Sequence, residues 1–167
     1  MLIRLANFTD IPQILQLIKE VVPVMNAAGN FQWDNAYPNA AVFERDITLN
    51  QLWVADGDDG IAGVIAITTD QDPEYADVGW DINETAIVVH RIAVSINHQG
   101  KGVAARLMQQ AEQVANTRGL KKIRIDTNVV NGATNHLFPK LGYVYAGEIS
   151  LATRPGMRFS CYEKILR

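Results

Sequence analysis

The stretch from Ile87 to Ala104 leaves this chain few ways to fold. Ile87-Val88-Val89-His90-Arg91-Ile92-Ala93-Val94 is rich in β-branched apolar residues, as a largely buried strand is. A polar turn follows, in which Gly100 and Gly102 flank Lys101. From Gly102 an amphipathic helix opens, with Val103, Leu107, Ala111 and Val114 on one stripe and Ala104, Met108 and Ala115 beside it. Strand, glycine turn and helix in that order put a row of backbone N–H groups at the positive end of a helix, where glycines let an anion approach the main chain. The predicted ligand is a phosphate. The glycines alone fit a tight turn before a core helix equally well. A Walker-type loop needs four residues between its glycines and a Gly-Lys-Ser/Thr ending, and a dinucleotide fingerprint needs a third glycine in register. Neither is present.

The 167 residues suffice for one domain, 1–167, with a proper core, and 48% apolar and 20% charged residues are the balance of a globular protein. No apolar run reaches bilayer length and Met1-Leu2-Ile3-Arg4-Leu5 lacks a secretory signal's layout, so the expectation is a cytoplasmic protein with no membrane partner. Cys161, between Ser160 and Tyr162, reads as a core strand thiol. His90, His98 and His136 lack partners at ligand spacing, and no metal is expected. The net charge of −3 hides a segregation: residues 46–90 carry ten acidic and no basic side chains, residues 91–167 twelve basic and four acidic. A polyanion suits the basic part and a cationic amine the acidic one, although a solvated acidic face explains the same counts. The chain lacks the basic patch with interleaved aromatics of a nucleic-acid binder, so none is expected as partner.

In order, Leu2 to Leu5 reads as a strand, and Thr9-Asp10 caps a helix with Ile11, Ile14, Leu15, Leu17 and Ile18 at helical spacing, breaking near Pro23. Val24 to Pro38, with Phe31, Trp33 and Tyr37, is a loop or short helix that covers a pocket or a satellite apolar cluster. Asn39 caps a helix from Ala40 to Leu49; Leu52–Ala55 and Ile61–Ile67 form an antiparallel hairpin about Gly57–Gly60. Thr68 to Ala86 is polar and acidic, holds Tyr75 and Trp80, and is a candidate substrate wall. Gly119 stops the central helix, Lys121 to Thr127 alternates as a strand, Asn131 opens a short helix ending at Leu141-Gly142, and strands Tyr143–Ile149 and Phe159–Ile165 pair side by side.

Gln99-Gly100-Lys101-Gly102-Val103-Ala104, directly after a strand ending in Val94, resembles the pyrophosphate signature of the GCN5-related N-acetyltransferases (GNAT). Asn131, Leu137, Lys140, Gly142 and Tyr143 fall where that family has an asparagine-headed helix ending in Lys-Leu-Gly-aromatic. The order of elements resembles the family's along nearly the whole chain. The resemblance implies an α/β acyl-CoA N-acyltransferase fold, a mixed, mostly antiparallel central sheet flanked by helices, with a splayed central strand. It also implies acetyl transfer from acetyl-coenzyme A to a primary amine, on a small molecule or a peptide, by direct attack in a ternary complex.

The resemblance further assigns roles. The N–H groups of Gln99 to Ala104 would bind the pyrophosphate with Lys101 adding charge; main-chain groups of Ile92, Ala93 and Val94 would face the pantetheine arm, and the Ile92 N–H would polarise the thioester carbonyl. Asn131 resembles the asparagine that bonds the pantetheine, and Phe138 and Lys140 are cofactor candidates beside it. The amine must lose a proton before it attacks. Residues 90, 92 and 94 of a regular strand share one face, which makes His90 a candidate base as much as a histidine satisfied within the sheet. Glu84 and Asp81 are second choices, acting through water. Many relatives have a tyrosine at the position of Phe138 to protonate the leaving thiolate; Phe138 cannot, which leaves Tyr143, water, or a thiolate that leaves unprotonated. Trp33, Tyr75, Asp77, Trp80 and Asp81 are the candidate acceptor contacts. The alternative is a coenzyme A-binding sensor that kept the site and lost the chemistry. A homodimer through the C-terminal strands is common in the family and stays open.

Overall fold

A computed structural model of the chain describes residues 1–167. Seven strands follow the order β1-β2-β3-β4-β5-β7-β6: β1 Leu2–Leu5, β2 Leu52–Gly57, β3 Gly60–Thr68, β4 Ile87–Val94, β5 Lys122–Asn128, β6 Val144–Leu151 and β7 Arg154–Ile165. The helices are α1 Ile11–Ala27, α2 Ala40–Thr48, α3 Val103–Thr117 and α4 Gly132–Lys140. Apart from the parallel β4–β5 pair, the registered pairings are antiparallel, as expected for a mixed sheet. The chain divides into two compact units, residues 1–67 with 90–110 and residues 68–89 with 111–167.

In the first unit α1 lays Ile14, Leu17, Ile18, Val21 and Val22 against Leu52, Val54, Val64 and Ala66, joined by Phe43 and Ile47 of α2 and by Ala93. Two local expectations change. Helix α1 runs through Pro23 to Ala27: a proline forfeits one N–H bond, and the buried Val21 and Val22 beside it hold the helix together. The cap before it is a box between Asn7 and Asp10, not a side-chain cap by Thr9 or Asp10, because the Asp10 carboxylate turns back to accept from Asn7 N (2.8 Å) and from Arg4. Asn39 caps α2 as expected, accepting from Val42 N at 3.1 Å. The β2–β3 hairpin turns at Asp58-Asp59.

In the second unit the β4–β5 register pairs Ile87 with Ile123 and Val88 with Arg124; from His90 onward the strand belongs to the first unit. Strand β5 pairs with β7 along its full length, and β7 begins at Arg154, five residues before the expected start at Phe159. The core is Tyr75, Val88, Ile149, Leu151, Phe159 and Cys161. The α3 stop at Gly119 has φ +70, with Leu120 N donating back to Ala115 O at 2.8 Å. No helix is long and apolar enough to cross a membrane.

Candidate active site

In the first unit, β4 ends at Val94, Ser95 N donates to Ala62 O (2.8 Å), and a single helical turn, Ile96–His98, leads into the glycines. Gly100 has φ +73 and Gly102 φ +80, and an added Cβ at either meets nothing within 4 Å. Glycine is required there by the backbone angle, and the space a side chain would take is open. The helix ladder begins at the second of them, with Arg106 N donating to Gly102 O at 3.1 Å. The N-terminal N–H groups of α3, including those of Val103 and Ala104, lie at its positive end beside this cradle. Val103 is buried and anchors the helix, while Gln99 and Lys101 are exposed; the Gln99 amide reaches Val94 O at 3.4 Å. The donor set suits a di-anionic phosphate chain.

Just upstream, Arg91 has φ +50 in the middle of β4. This left-handed residue breaks the period of two, so a regular alternation no longer puts His90 on the face of Ile92 and Val94. His90, Ile92 and Val94 are half-buried and Ala93 lies in the core. The Arg91 side chain forms a bidentate pair with Asp46, both contacts 2.7 Å. Sequence reasoning missed this pair, since nothing in a β-branched run announces a left-handed arginine.

In the second unit the candidates separate. Asn131 heads α4, its side chain accepting from Thr134 N (3.2 Å), and Lys140 is exposed at the other end. Phe138 is wholly buried, 5.6 Å from the Tyr162 ring and 6.1 Å from that of Tyr143. Its ring is a core element, which takes it out of the set of cofactor contacts. Tyr143 is buried with a hydroxyl that has no hydrogen-bond partner; Lys164 Nζ lies over its ring, and burial, with the Glu112 charge, pushes its pKa far above the ordinary phenol value. A phenol so shifted is a poor proton donor.

Among the acceptor candidates, Trp33 and Tyr75 are core side chains, because aromatic area is worth most when buried. Trp33 joins the α1–α2 cluster, and Tyr75 donates to Asp126 Oδ2 at 2.6 Å. Asp77 is exposed. Trp80 packs edge-on against Tyr75 (5.1 Å) and beneath Arg124. The Asp81 carboxylate accepts from Asn83 N, and Glu84 pairs with Lys122 at 2.8 Å. The acidity of the middle segment is therefore in part neutralised within the fold: Asp46 by Arg91, Asp56 by Arg4, Glu84 by Lys122.

A turn of two left-handed glycines at the head of α3, directly after the end of a central strand in a mixed sheet, is the arrangement that the sequence pattern announced. The sequence matches the model of the acetyltransferase (GNAT) family over residues 18–143, and the chain belongs to that family. Streptothricin acetyltransferase of Streptomyces lavendulae is 27% identical over 140 residues, covering 68% of this chain and 74% of that protein. A crystal structure of a GNAT-family acetyltransferase from Streptococcus agalactiae 2603 matches with a TM-score of 0.81 and 30% identity, covering 99% of this chain and 95% of that one. The fold is shared as well with yncA of Salmonella typhimurium, solved with its cofactor acetyl-CoA, at a TM-score of 0.73 and 18% identity, covering 100% of this chain and 94% of that one.

Proposed function

We propose that the whole chain is one acetyltransferase domain that moves an acetyl group from acetyl-coenzyme A to a primary amine by direct attack in a ternary complex. The observation that carries this reading is the pair of left-handed glycines with open space above them at the head of α3, in a chain of this family. Acetyl-coenzyme A supplies an activated acyl carbon and a thiolate leaving group. The N–H groups around Gly100–Ala104 would hold the pyrophosphate, with Lys101 adding charge, and Ile92 to Val94 would present main-chain groups to the pantetheine arm. The Ile92 N–H would donate to the thioester carbonyl oxygen; such a donor is worth ~3 kcal/mol. His90, next to the left-handed Arg91, would accept the ammonium proton, directly or through water, and so free the amine nitrogen to attack.

The acceptor is a cationic amine, small or at a peptide end. Streptothricin acetyltransferase, named for its substrate, supports the small-molecule form. Asp77 and Asp81, exposed on the segment after β3, are its proposed contacts, together with Trp80. The experiment is release of free thiol from acetyl-coenzyme A across polyamines, aminoglycosides, streptothricin and short peptides, beside a His90→Ala variant and a calorimetric cofactor titration. Turnover with one class, lost in the variant at unchanged cofactor affinity, is the expected result. Neither Phe138 nor Tyr143 is suited to protonate the thiolate, which favours a second reading, a coenzyme A-binding sensor. Tight binding without turnover on any amine would select it.

A further inference from the structure

The strained residue of β4 is held from outside the strand. A non-glycine residue at φ +50 persists only where its surroundings over-determine it, and two side chains do so at Arg91. Arg91 Nε and Nη2 donate to the two oxygens of Asp46, both at 2.7 Å, and Nη1 donates to the Tyr37 hydroxyl at 3.2 Å. Asp46 is itself fixed: it lies fully buried between Phe43 and Ile47 on the inner face of α2, and its Oδ1 also accepts from Gln51 Nε2 at 2.9 Å. On the opposite strand, Gly63 has no side chain, and a Cβ there would meet Ala93 O at 3.1 Å. The arginine of β4 is therefore held by α2, and the missing side chain at Gly63 leaves room beside the Ala93 carbonyl.

A bidentate guanidinium–carboxylate pair fixes an angle as well as a distance. The residue so fixed immediately precedes the peptide N–H that a thioester carbonyl would meet. We propose that Arg91, locked by Asp46 and Tyr37, is a positioning residue that sets the direction of the Ile92 N–H. The inference rests on the reading of Ile92 as the carbonyl's donor. It adds to it that the aim of a main-chain group is set by a side-chain clamp running to α2, so that loss of the clamp misdirects the donor without removing any group that touches the cofactor.

The test reads the donor without needing an acceptor. Acetyl-coenzyme A labelled with carbon-13 at the thioester carbonyl is bound to the wild type and to the Arg91→Lys, Asp46→Asn and Tyr37→Phe variants, each checked for folding by circular dichroism, and the carbonyl resonance is recorded. A carbonyl polarised by the Ile92 N–H moves downfield on binding. In Arg91→Lys and Asp46→Asn the shift is expected to be largely lost while the dissociation constant stays within about threefold, and turnover with the best amine falls roughly tenfold or more at little change in acceptor KM. Tyr37→Phe, which removes one long hydrogen bond and is the variant surest to fold, gives a smaller loss in the same direction. Folded variants that keep the wild-type shift, whatever their melting temperature, overturn the proposal and leave the clamp a structural pair. A wild type that binds without any shift removes Ile92 as donor and the inference with it, and one that does not bind the cofactor removes the acetyltransferase reading beneath both.

Discussion

The guanidinium of Arg124 lies 5.1 Å from the centroid of the Trp80 ring and donates through Nε to Glu163 at 2.8 Å. Its Nη1 donates to the Asp81 carbonyl (3.0 Å) and to the Gln71 side chain, and the residue is only 1% exposed. One buried cation on β5 thus secures β7 and both ends of the acidic stretch Gln71–Asp81. Removing one partner of such a pair leaves a charge without compensation, and the cost is commonly about 3–5 kcal/mol. Arg124→Met is expected to lose that much in urea unfolding. The double variant Arg124→Met, Glu163→Gln is expected to recover part of it, because the stranded carboxylate is gone. Equal losses in the single and double variants would show that the cation–π contact and the loop bonds carry the energy instead.

Gly100 and Gly119 offer a matched pair. Their φ values are +73 and +70, and neither has an atom within 4 Å of an added Cβ. Alanine at either position costs roughly 1 kcal/mol through backbone strain. Only at Gly100 does the new methyl enter the space assigned to the pyrophosphate. Gly100→Ala is expected to weaken acetyl-coenzyme A binding at least tenfold by calorimetry, about 1.4 kcal/mol, and Gly119→Ala to leave it unchanged at the same thermal penalty. Equal affinities in the two variants would place the phosphates elsewhere.

The glycine turn and the order of elements were legible because they depend on local rules: β-branched runs, helical stripes, and glycine where only glycine tolerates the angle. What was not legible depends on partners distant in sequence. Alternation marks Arg124 as lying opposite Ile123 and Ile125, but not that its own side is covered by Gln71, Trp80 and Asp81. Pro23 reads as a breaker until the buried valines beside it are counted. Trp33 and Tyr75 look like pocket aromatics in a polar context, and the core claims both. The strand face of His90, Ile92 and Val94 was read by a period-two rule that Arg91 breaks. The side chain of that residue is held by Asp46, 45 residues away.

Acid stability carries a signature of Asp10. Hydrogen bonds from Arg4 (2.8 and 2.9 Å) hold its carboxyl below the ordinary carboxylate range; burial opposes the shift and the Asn7 N–H adds to it. A depressed value in the folded state means that the unfolded chain takes up the proton first. The stabilisation is therefore complete above the ordinary carboxylate pKa, near 4, and is lost as pH falls through the lower folded value. Asp10→Asn is expected to be about 1–3 kcal/mol less stable at pH 7, and the gap to wild type should close as the pH falls below 4. A gap that is constant with pH would mean that the capping box, not the charge, is what the aspartate supplies.

Cys161 behaves in the opposite sense. Burial, with the charges of Asp126 and Asp72, pushes its thiol up to about 12. The unfolded thiol ionises near 8.5, so between roughly 8.5 and 12 the folded state retains a proton that the unfolded state has lost, and stability falls as the pH rises. Tyr75 and Tyr143 are raised by burial as well, so the whole protein softens in alkali, and the difference between wild type and Cys161→Ala isolates the thiol. The alanine variant is expected to be about 1 kcal/mol weaker at pH 7, to draw level near pH ~9 and to be the more stable of the two above it. A thiol both buried and protonated also lacks the thiolate that attacks disulfides. The native protein is therefore expected not to react with Ellman's reagent at pH 7.5 until it is unfolded. Rapid reaction of the native thiol would show that the β5–β7 pairing around Asp126 and Cys161 opens in solution.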